Sequence, residues 1–244
     1  MALPKIDLPT FEVSLVSRGT TKFRPFTVKE QKILMMALEA KDFDTAIKAI
    51  KQVISNCLVD DVDVDELPMI DLELLFLAIR AKSMGEKVQL YFKCDQAVPT
   101  DATGNTKPCG MIIEIDVNIE QIDPIKTVEK RIQLTPDIIL EMKYPTFNLI
   151  NLLQKKADTM IDAEMIVIAG CMDKFYKGNE VINVADASVE ETIGFLEGLR
   201  EETYGKLAAW VRSTPKVRKT VEKDCPKCNK HHKITLEGLA DFFM

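Results

Sequence analysis

Cys225-Pro226-Lys227-Cys228 sets two thiols three positions apart, with Pro226 favouring a turn between them. A tight turn of this kind aims two thiolates at one ion while nearby backbone N–H groups face the sulfurs, so the pair reads as half of a zinc site. Cys94 and Cys109 can supply the other half, since each ends a segment with strand character, and Gly110 gives the backbone after Cys109 the freedom a knuckle needs. Fourteen residues lie between Cys94 and Cys109, against two to four in most knuckles. Loop closure grows only logarithmically with length, so the bulge costs on the order of 1–2 kcal/mol more than a short one.

Four thiolates would close the coordination sphere, leaving no position for substrate or activated water, so the ion would be structural Zn2+. Three alternatives stay open. His231 or His232 could replace a cysteine of the first pair, Cys225-x-x-Cys228 could be a redox pair, or the thiols could be unliganded. A redox pair is expected to open a helix in a βαβ unit, and no such pattern surrounds these residues. Cys57 and Cys171 fall on apolar helix faces and read as core residues.

Other chemistry is scarce. Asp61, Asp63 and Asp65 alternate as in a calcium loop, but its sixth and twelfth places hold Glu66 and Leu72 instead of Gly and Glu. The segment from Asp60 to Glu66 is thus expected to be a solvated acidic loop. Ser213-Thr214-Pro215-Lys216 matches S-x-x-K by chance, because Pro215 spoils the helix that would aim Lys216 and the companion motifs are absent. There is no P-loop, no dinucleotide-binding glycine pattern and no H-E-x-x-H. With only two histidines, adjacent to each other, a mechanism needing a separated base and ligand is excluded.

The elements that must position the cysteines follow from periodicity. Phe11 to Val16 and Lys22 to Phe26 predict a hairpin, and Thr27-Val28-Lys29-Glu30 predicts a capping box opening a helix. Apolar residues from Phe43 to Cys57 and from Leu67 to Ala81 predict two more helices, the second stopped at Gly85. Lys87 to Lys93 and Met111 to Val117 read as partner strands, extended by a third from Val128 to Leu134. Thr135-Pro136-Asp137 is expected to open a short helix. Long helices are expected from Thr146 to Phe175 and, after a Ser188/Glu191 capping box, to Val211. Val217 to Lys223 and His232 to Leu236 flank the second cysteine pair as strands. The expected fold is a single α+β domain over residues 1–244, mainly helical, with an antiparallel β-sheet carrying a zinc-ribbon-like four-cysteine knuckle site. Its hairpin and helices occupy residues 1–86, its sheet 87–134 plus 216–244, and a helical segment 135–215.

At 27.5 kDa such a chain needs no disulfides to build a core. No run approaches the roughly 18 apolar residues of a membrane span, and the N-terminus lacks a secretory pattern, so a reducing cytoplasm is expected. The net charge of −6 disfavours a nucleic-acid coat. Eight basic and two acidic residues between Arg212 and Lys233 nevertheless make a basic ribbon. A zinc-ribbon nucleic-acid-binding regulator is therefore the alternative function, though few aromatics interleave as a stacking surface requires.

The ordered words Phe23-Arg24-Pro25-Phe26-Thr27-Val28-Lys29-Glu30, Leu34-Met35-Met36-Ala37, Ala49-Ile50-Lys51-Gln52, Asp71-Leu72-Glu73-Leu74-Leu75-Phe76-Leu77, Arg80-Ala81-Lys82-Ser83-Met84-Gly85-Glu86 and Gly238-Leu239-Ala240-Asp241-Phe242-Phe243 resemble the baseplate hub assembly protein family of T4-type contractile-tailed bacteriophages. The resemblance covers most of the chain and is densest from Leu3 to Cys94. It implies a non-enzymatic role in building the baseplate hub, as a chaperone or hub-associated component in infected host cytoplasm, with retention in the virion tail baseplate as one outcome. Phage baseplate hub proteins would be the partners, with no small-molecule substrate and no catalytic residues. It also implies cysteine pairs flanking the sheet, which fits Cys94, Cys109, Cys225 and Cys228. Candidate contact features are Phe242-Phe243, the acidic loop, and the basic segment around Arg218 and Lys219; for the two phenylalanines, packing into the chain's own core is the competing reading.

Overall fold

The computed structural model describes residues 6–39, 42–99, 104–149 and 157–243. These residues cluster into two compact units. The first joins the segments up to Asp61, Glu73–Ile125 and Lys216 onward; the second joins Val62–Leu72 and Lys126–Pro215.

In the first unit, β1 (Phe11–Leu15) and β2 (Gly19–Phe23) form a hairpin where one was expected, but its return strand starts at Gly19 and ends at Phe23 instead of running from Lys22 to Phe26; Gly19 at φ 82 closes a turn that an L-residue would strain. α1 (Val28–Glu39) and α2 (Phe43–Cys57) follow. The Glu30 carboxylate accepts the Thr27 N–H at 2.8 Å, as a capping box requires, but the Thr27 hydroxyl donates to that same carboxylate at 2.5 Å. Arg24 reaches Glu30 at 3.1 Å and thereby ties the hairpin exit to α1. α3 (Met69–Met84) is buried on nearly every side from Ile70 to Leu77, which is why its sequence reads as an unbroken apolar run. From Glu73 onward it belongs to this unit. The core is Phe23, Val53, Ile54, Cys57, Leu75, Ile79, Ile113, Val117 and Phe242, all almost completely buried. Phe242 thus packs into its own unit.

Two hairpins complete this unit. β3 (Lys87–Lys93) pairs antiparallel with β6 (Ile112–Asn118), and β4 (Ala97–Pro99) pairs with β5 (Thr106–Pro108) inside the connection. β11 (Arg218–Asp224) pairs with β12 (His231–Glu237), and the short α7 (Gly238–Phe243) follows. A buried carboxylate anchors this second hairpin: Glu73 on α3 accepts the Val217 N–H at 2.9 Å.

The second unit holds a four-stranded antiparallel sheet in the order β10-β9-β8-β7, formed by Arg131–Thr135 (β7), Ile138–Met142 (β8), Met172–Lys177 (β9) and Glu180–Asn183 (β10). Helices α4 (Met160–Cys171), α5 (Val189–Glu197) and α6 (Glu201–Arg212) belong to it. Trp210 stacks on Tyr144 with ring centres 6.0 Å apart and donates its indole N–H to the Glu129 carbonyl at 2.6 Å.

Several expectations need correction. The chain is not mainly helical: 37% is helix and 31% strand, with seven α-helices among the described residues. The strands make several small sheets rather than one, and β7 belongs to the four-stranded sheet instead of extending β3–β6. Thr135 ends β7 and Pro136-Asp137 form the two-residue turn into β8, where a helix was expected. The expected helix to Phe175 ends at Cys171 and becomes β9 without a break, with Met172 at ψ 135; residues 150–156 of that span lie outside the described residues. Methionine and isoleucine at three- and four-residue spacing up to Met172 concealed this switch. The helix expected from Ser188 to Val211 is two helices separated at Gly198, although its Ser188/Glu191 capping box forms as read. The zinc-ribbon description also fails, because Cys94 and Cys109 bracket an insert with its own β4–β5 ladder rather than a short knuckle.

No helix among the described residues is long and apolar enough to cross a membrane.

Candidate metal centre

Cys94 directly follows β3, and its N–H donates to the Met111 carbonyl at 2.8 Å, while Gly110 donates back to the Cys94 carbonyl at 2.9 Å. Cys109 is tied at 2.7 Å to the Gln96 carbonyl, so the two ends of the insert meet although fourteen residues separate them. Gly110 sits at φ 68, where a side chain would be strained. Across from them, Cys225 to Cys228 form the β11–β12 turn, closed by Cys225 N–H to Lys230 O and Asn229 N–H to Cys225 O, both 2.9 Å.

The four sulfurs lie within 4.8 Å of one another. Cys94 Sγ is 3.6 Å from Cys228 Sγ, and Cys109 Sγ is 3.8 Å from Cys225 Sγ. A disulfide needs about 2.05 Å, so neither pair is bonded. Zinc–sulfur bonds of about 2.3 Å at the tetrahedral angle would place sulfurs about 3.8 Å apart, close to both distances. Cys94, Cys109 and Cys225 are buried and Cys228 is partly open.

Backbone N–H groups converge on the sulfurs. Burial by itself would raise the Cys225 thiol, but N–H groups of Cys228 and Lys227, with hydrogen bonds from the neighbouring thiols, outweigh it and hold its pKa at about 7. Burial pushes Cys94 up to about 12, even though the Gln96 N–H favours its thiolate. The cluster alone thus favours ionisation at one sulfur and opposes it at another. A cation among the four is the group that would let all of them ionise together. The arrangement can hold a metal ion.

The two histidines part company here. His231 points outward to Asp224 at 2.7 Å and Glu222 at 3.7 Å. His232 is buried, with Nε2 3.2 Å from Cys94 Sγ and its ring edge-on to Phe92 at 4.9 Å. Sequence reading treated the two as equivalent, yet strand alternation separates them: His232 shares a face with Leu236, whereas His231 shares one with Lys233. Cys57 and Cys171 are fully buried, far up in pKa at about 11 and about 12 because burial disfavours their thiolates.

The first unit also carries an apolar groove of about 360 Å³ between α1, α2 and α3, lined by Leu34, Met35, Ile50, Phe76 and Met84, with Arg80 in its wall. Met35 and Met84 are each 56% exposed. Periodicity placed these helices but did not show that their apolar faces fail to close.

Residues 8–244 match the family of T4 bacteriophage base plate proteins. That is nearly the whole chain, both units and all four clustered cysteines included. The chain belongs to this family and is a phage baseplate component. No curated protein and no solved structure matches it.

Proposed function

We propose that this baseplate protein is a non-enzymatic assembly factor of the hub, either a chaperone or a hub-associated component, and that it works through contacts with hub proteins. Cys94, Cys109, Cys225 and Cys228 hold a structural Zn2+ in this reading. The observation that carries it is the family match over residues 8–244, which spans a chain whose clustered donors are four thiolates. An all-thiolate tetrahedral set suits zinc and leaves no ligand position open for chemistry. The exposed methionines along the α1–α3 groove suit protein contact, because Met side chains adapt to varied surfaces.

Nucleic-acid binding draws no support from the basic ribbon. Lys216 and Arg218 clasp Glu237 at 2.7 and 2.8 Å, Lys233 pairs with Glu222 at 3.6 Å, and Lys227 reaches the Cys109 carbonyl at 3.3 Å.

Affinity capture of the tagged full chain from infected cells, compared with the composition of finished particles, tests the role. Recovery with hub proteins supports it, and presence in or absence from particles separates a component from a chaperone. Recovery with baseplate proteins outside the hub, or with none, overturns it. Metal analysis of the same material should give about one zinc per chain.

A further inference from the structure

β6 and β11 lie in separate sheets, yet they are held together at both ends. At one end Cys109 meets Cys225. At the other, Asp123 donates its N–H to the Arg218 carbonyl at 2.8 Å, and its carboxylate accepts the Thr220 N–H at 3.0 Å and the Thr220 hydroxyl at 3.1 Å. Cys109 precedes β6 and meets the end of β11, while Asp123 follows β6 and meets its beginning, so the two strands run antiparallel. Between these ends they are parted by a cavity of about 500 Å³ lined by Glu114, Ile115, Asp116, Val221, Glu222 and Lys223.

The register shows what faces this slot. The bonds Cys94 N–H to Met111 O and Ile119 N–H to Glu86 O fix the odd-numbered residues of β6 as those bonded to β3. The backbone N–H and C=O groups of Glu114 and Asp116 therefore point away from β3, toward the slot. Likewise, Cys225 N–H to Lys230 O and Gly238 N–H to Val217 O fix the odd-numbered residues of β11 as those bonded to β12. The main chain of Glu222 therefore points into the slot from the other side. Two antiparallel edges with outward-facing donors and acceptors thus confront each other across a gap.

An extended residue within a sheet fills roughly 160 Å³, from a rise of about 3.3 Å, a strand spacing of about 4.8 Å and a sheet spacing of about 10 Å. The slot therefore has room for about three residues, the length of the stretch from Glu114 to Asp116. Three of its side chains are carboxylates, Glu114, Asp116 and Glu222; Glu222 is already paired with Lys233 at 3.6 Å and Lys223 lines the same β11 wall, so the carboxylates left to a partner are Glu114 and Asp116 on the β6 side. Glu114 and Asp116, two apart, stand on the exposed face of β6.

We infer that the β6–β11 slot is a docking site for an extended segment of a partner protein with Lys or Arg at alternate positions, which would join the two hairpins into one sheet. Its main chain would bond to the outward groups of both edges, and its basic side chains would lie beside Glu114 and Asp116. A second copy of this chain offering the same edge would bring like charges together. The inference goes beyond the hub reading and stands apart from it, because it concerns binding by the isolated chain.

The test uses the protein loaded with zinc, and two synthetic probes cut to the roughly three residues the slot can hold: Lys-Val-Lys, acetylated and amidated at its ends, and a twin with Glu replacing both Lys. Residue-resolved amide exchange is read with and without each probe. The lysine peptide should slow exchange at the Glu114, Asp116 and Glu222 amides about tenfold or more, and the glutamate twin should bind at least about tenfold more weakly. The double variant Glu114→Lys, Asp116→Lys should lose the preference while its circular dichroism and zinc content stay unchanged. Absence of protection at those three amides, or equal binding of the twins, would overturn the proposal. So would protection without peptide accompanied by a doubled mass in solution, which would assign the slot to a second copy. Failure to capture hub proteins from infected cells would bear on the assembly role alone.

Discussion

Acidification should remove a definite part of the stability of the first unit through Glu30. Its side chain is only 3% exposed, yet it is bonded by the Thr27 N–H at 2.8 Å, the Thr27 hydroxyl at 2.5 Å and Arg24 at 3.1 Å. Burial pushes its pKa up, but those bonds and the Arg24 charge outweigh it, bringing the carboxyl from 4.5 down to about 2. The folded value is the lower one, so the ionised carboxylate stabilises the fold above pH 4.5, and this contribution fades as the pH falls toward 2. A shift of this size corresponds to about 3 kcal/mol. Glu30→Gln keeps the shape and an acceptor for Thr27 but loses the charge facing Arg24. Urea unfolding of both proteins, followed by circular dichroism from pH 7 to pH 2.5, should show a gap of roughly 2–3 kcal/mol at neutrality that narrows steadily below about pH 4.5. A gap that stays constant over that range would refute the pairing as its origin, and no gap at neutrality would refute the burial of an ionised Glu30.

Other perturbations give separable outcomes. Stripping the proposed zinc, or Cys225→Ser, would open the cross-link it makes between residues 116 apart in sequence, and the melting temperature measured by calorimetry should fall by roughly 10 °C or more; an unchanged value after verified metal loss would contradict a structural ion. Gly170→Ala would drive a Cβ into Leu149 Cδ1, so Leu149 must leave its buried rotamer, and chemical denaturation should register a loss of about 1–3 kcal/mol. Trp210→Phe leaves the Glu129 carbonyl without its indole donor, which should cost about 1–3 kcal/mol in the same assay, while near-ultraviolet dichroism reports the lost stacking on Tyr144.

Local patterns carried the parts of this fold that obey one period at a time. The first hairpin, α2, the β3–β6 pair and the β11–β12 pair were legible because alternation or helical spacing ran cleanly between turn residues. The cysteine constellation was legible for the same reason, since Cys94 follows β3, Cys109 precedes its partner β6, and Cys225 and Cys228 occupy one turn. Where no new period marked the next element, the reading failed. Met165, Ile168 and Met172 fit a helical face, but from Met172 the chain is a strand whose sequence, Met-Asp-Lys-Phe-Tyr-Lys, does not alternate and so gave no sign of the change. Which hairpins share a sheet was not legible either, because pairing depends on edges far apart in sequence, as β7 shows by joining β8 rather than β6. The contrast between His231 and His232 was available in the strand alternation, but the contact with Cys94 arises only when the two hairpins meet.

The discontinuity of the first unit has a consequence in time. Its segment Glu73–Ile125 and its final segment from Lys216 are separated by the stretch Lys126–Pro215 of the second unit. A ribosome adding about 5–20 residues per second needs roughly 6–23 s to travel from Cys109 to Cys225. Throughout that interval Cys94 and Cys109 are already made but lack their partners, and Glu73 awaits the Val217 amide. The second unit can be completed first, and the thiol cluster closes only after it.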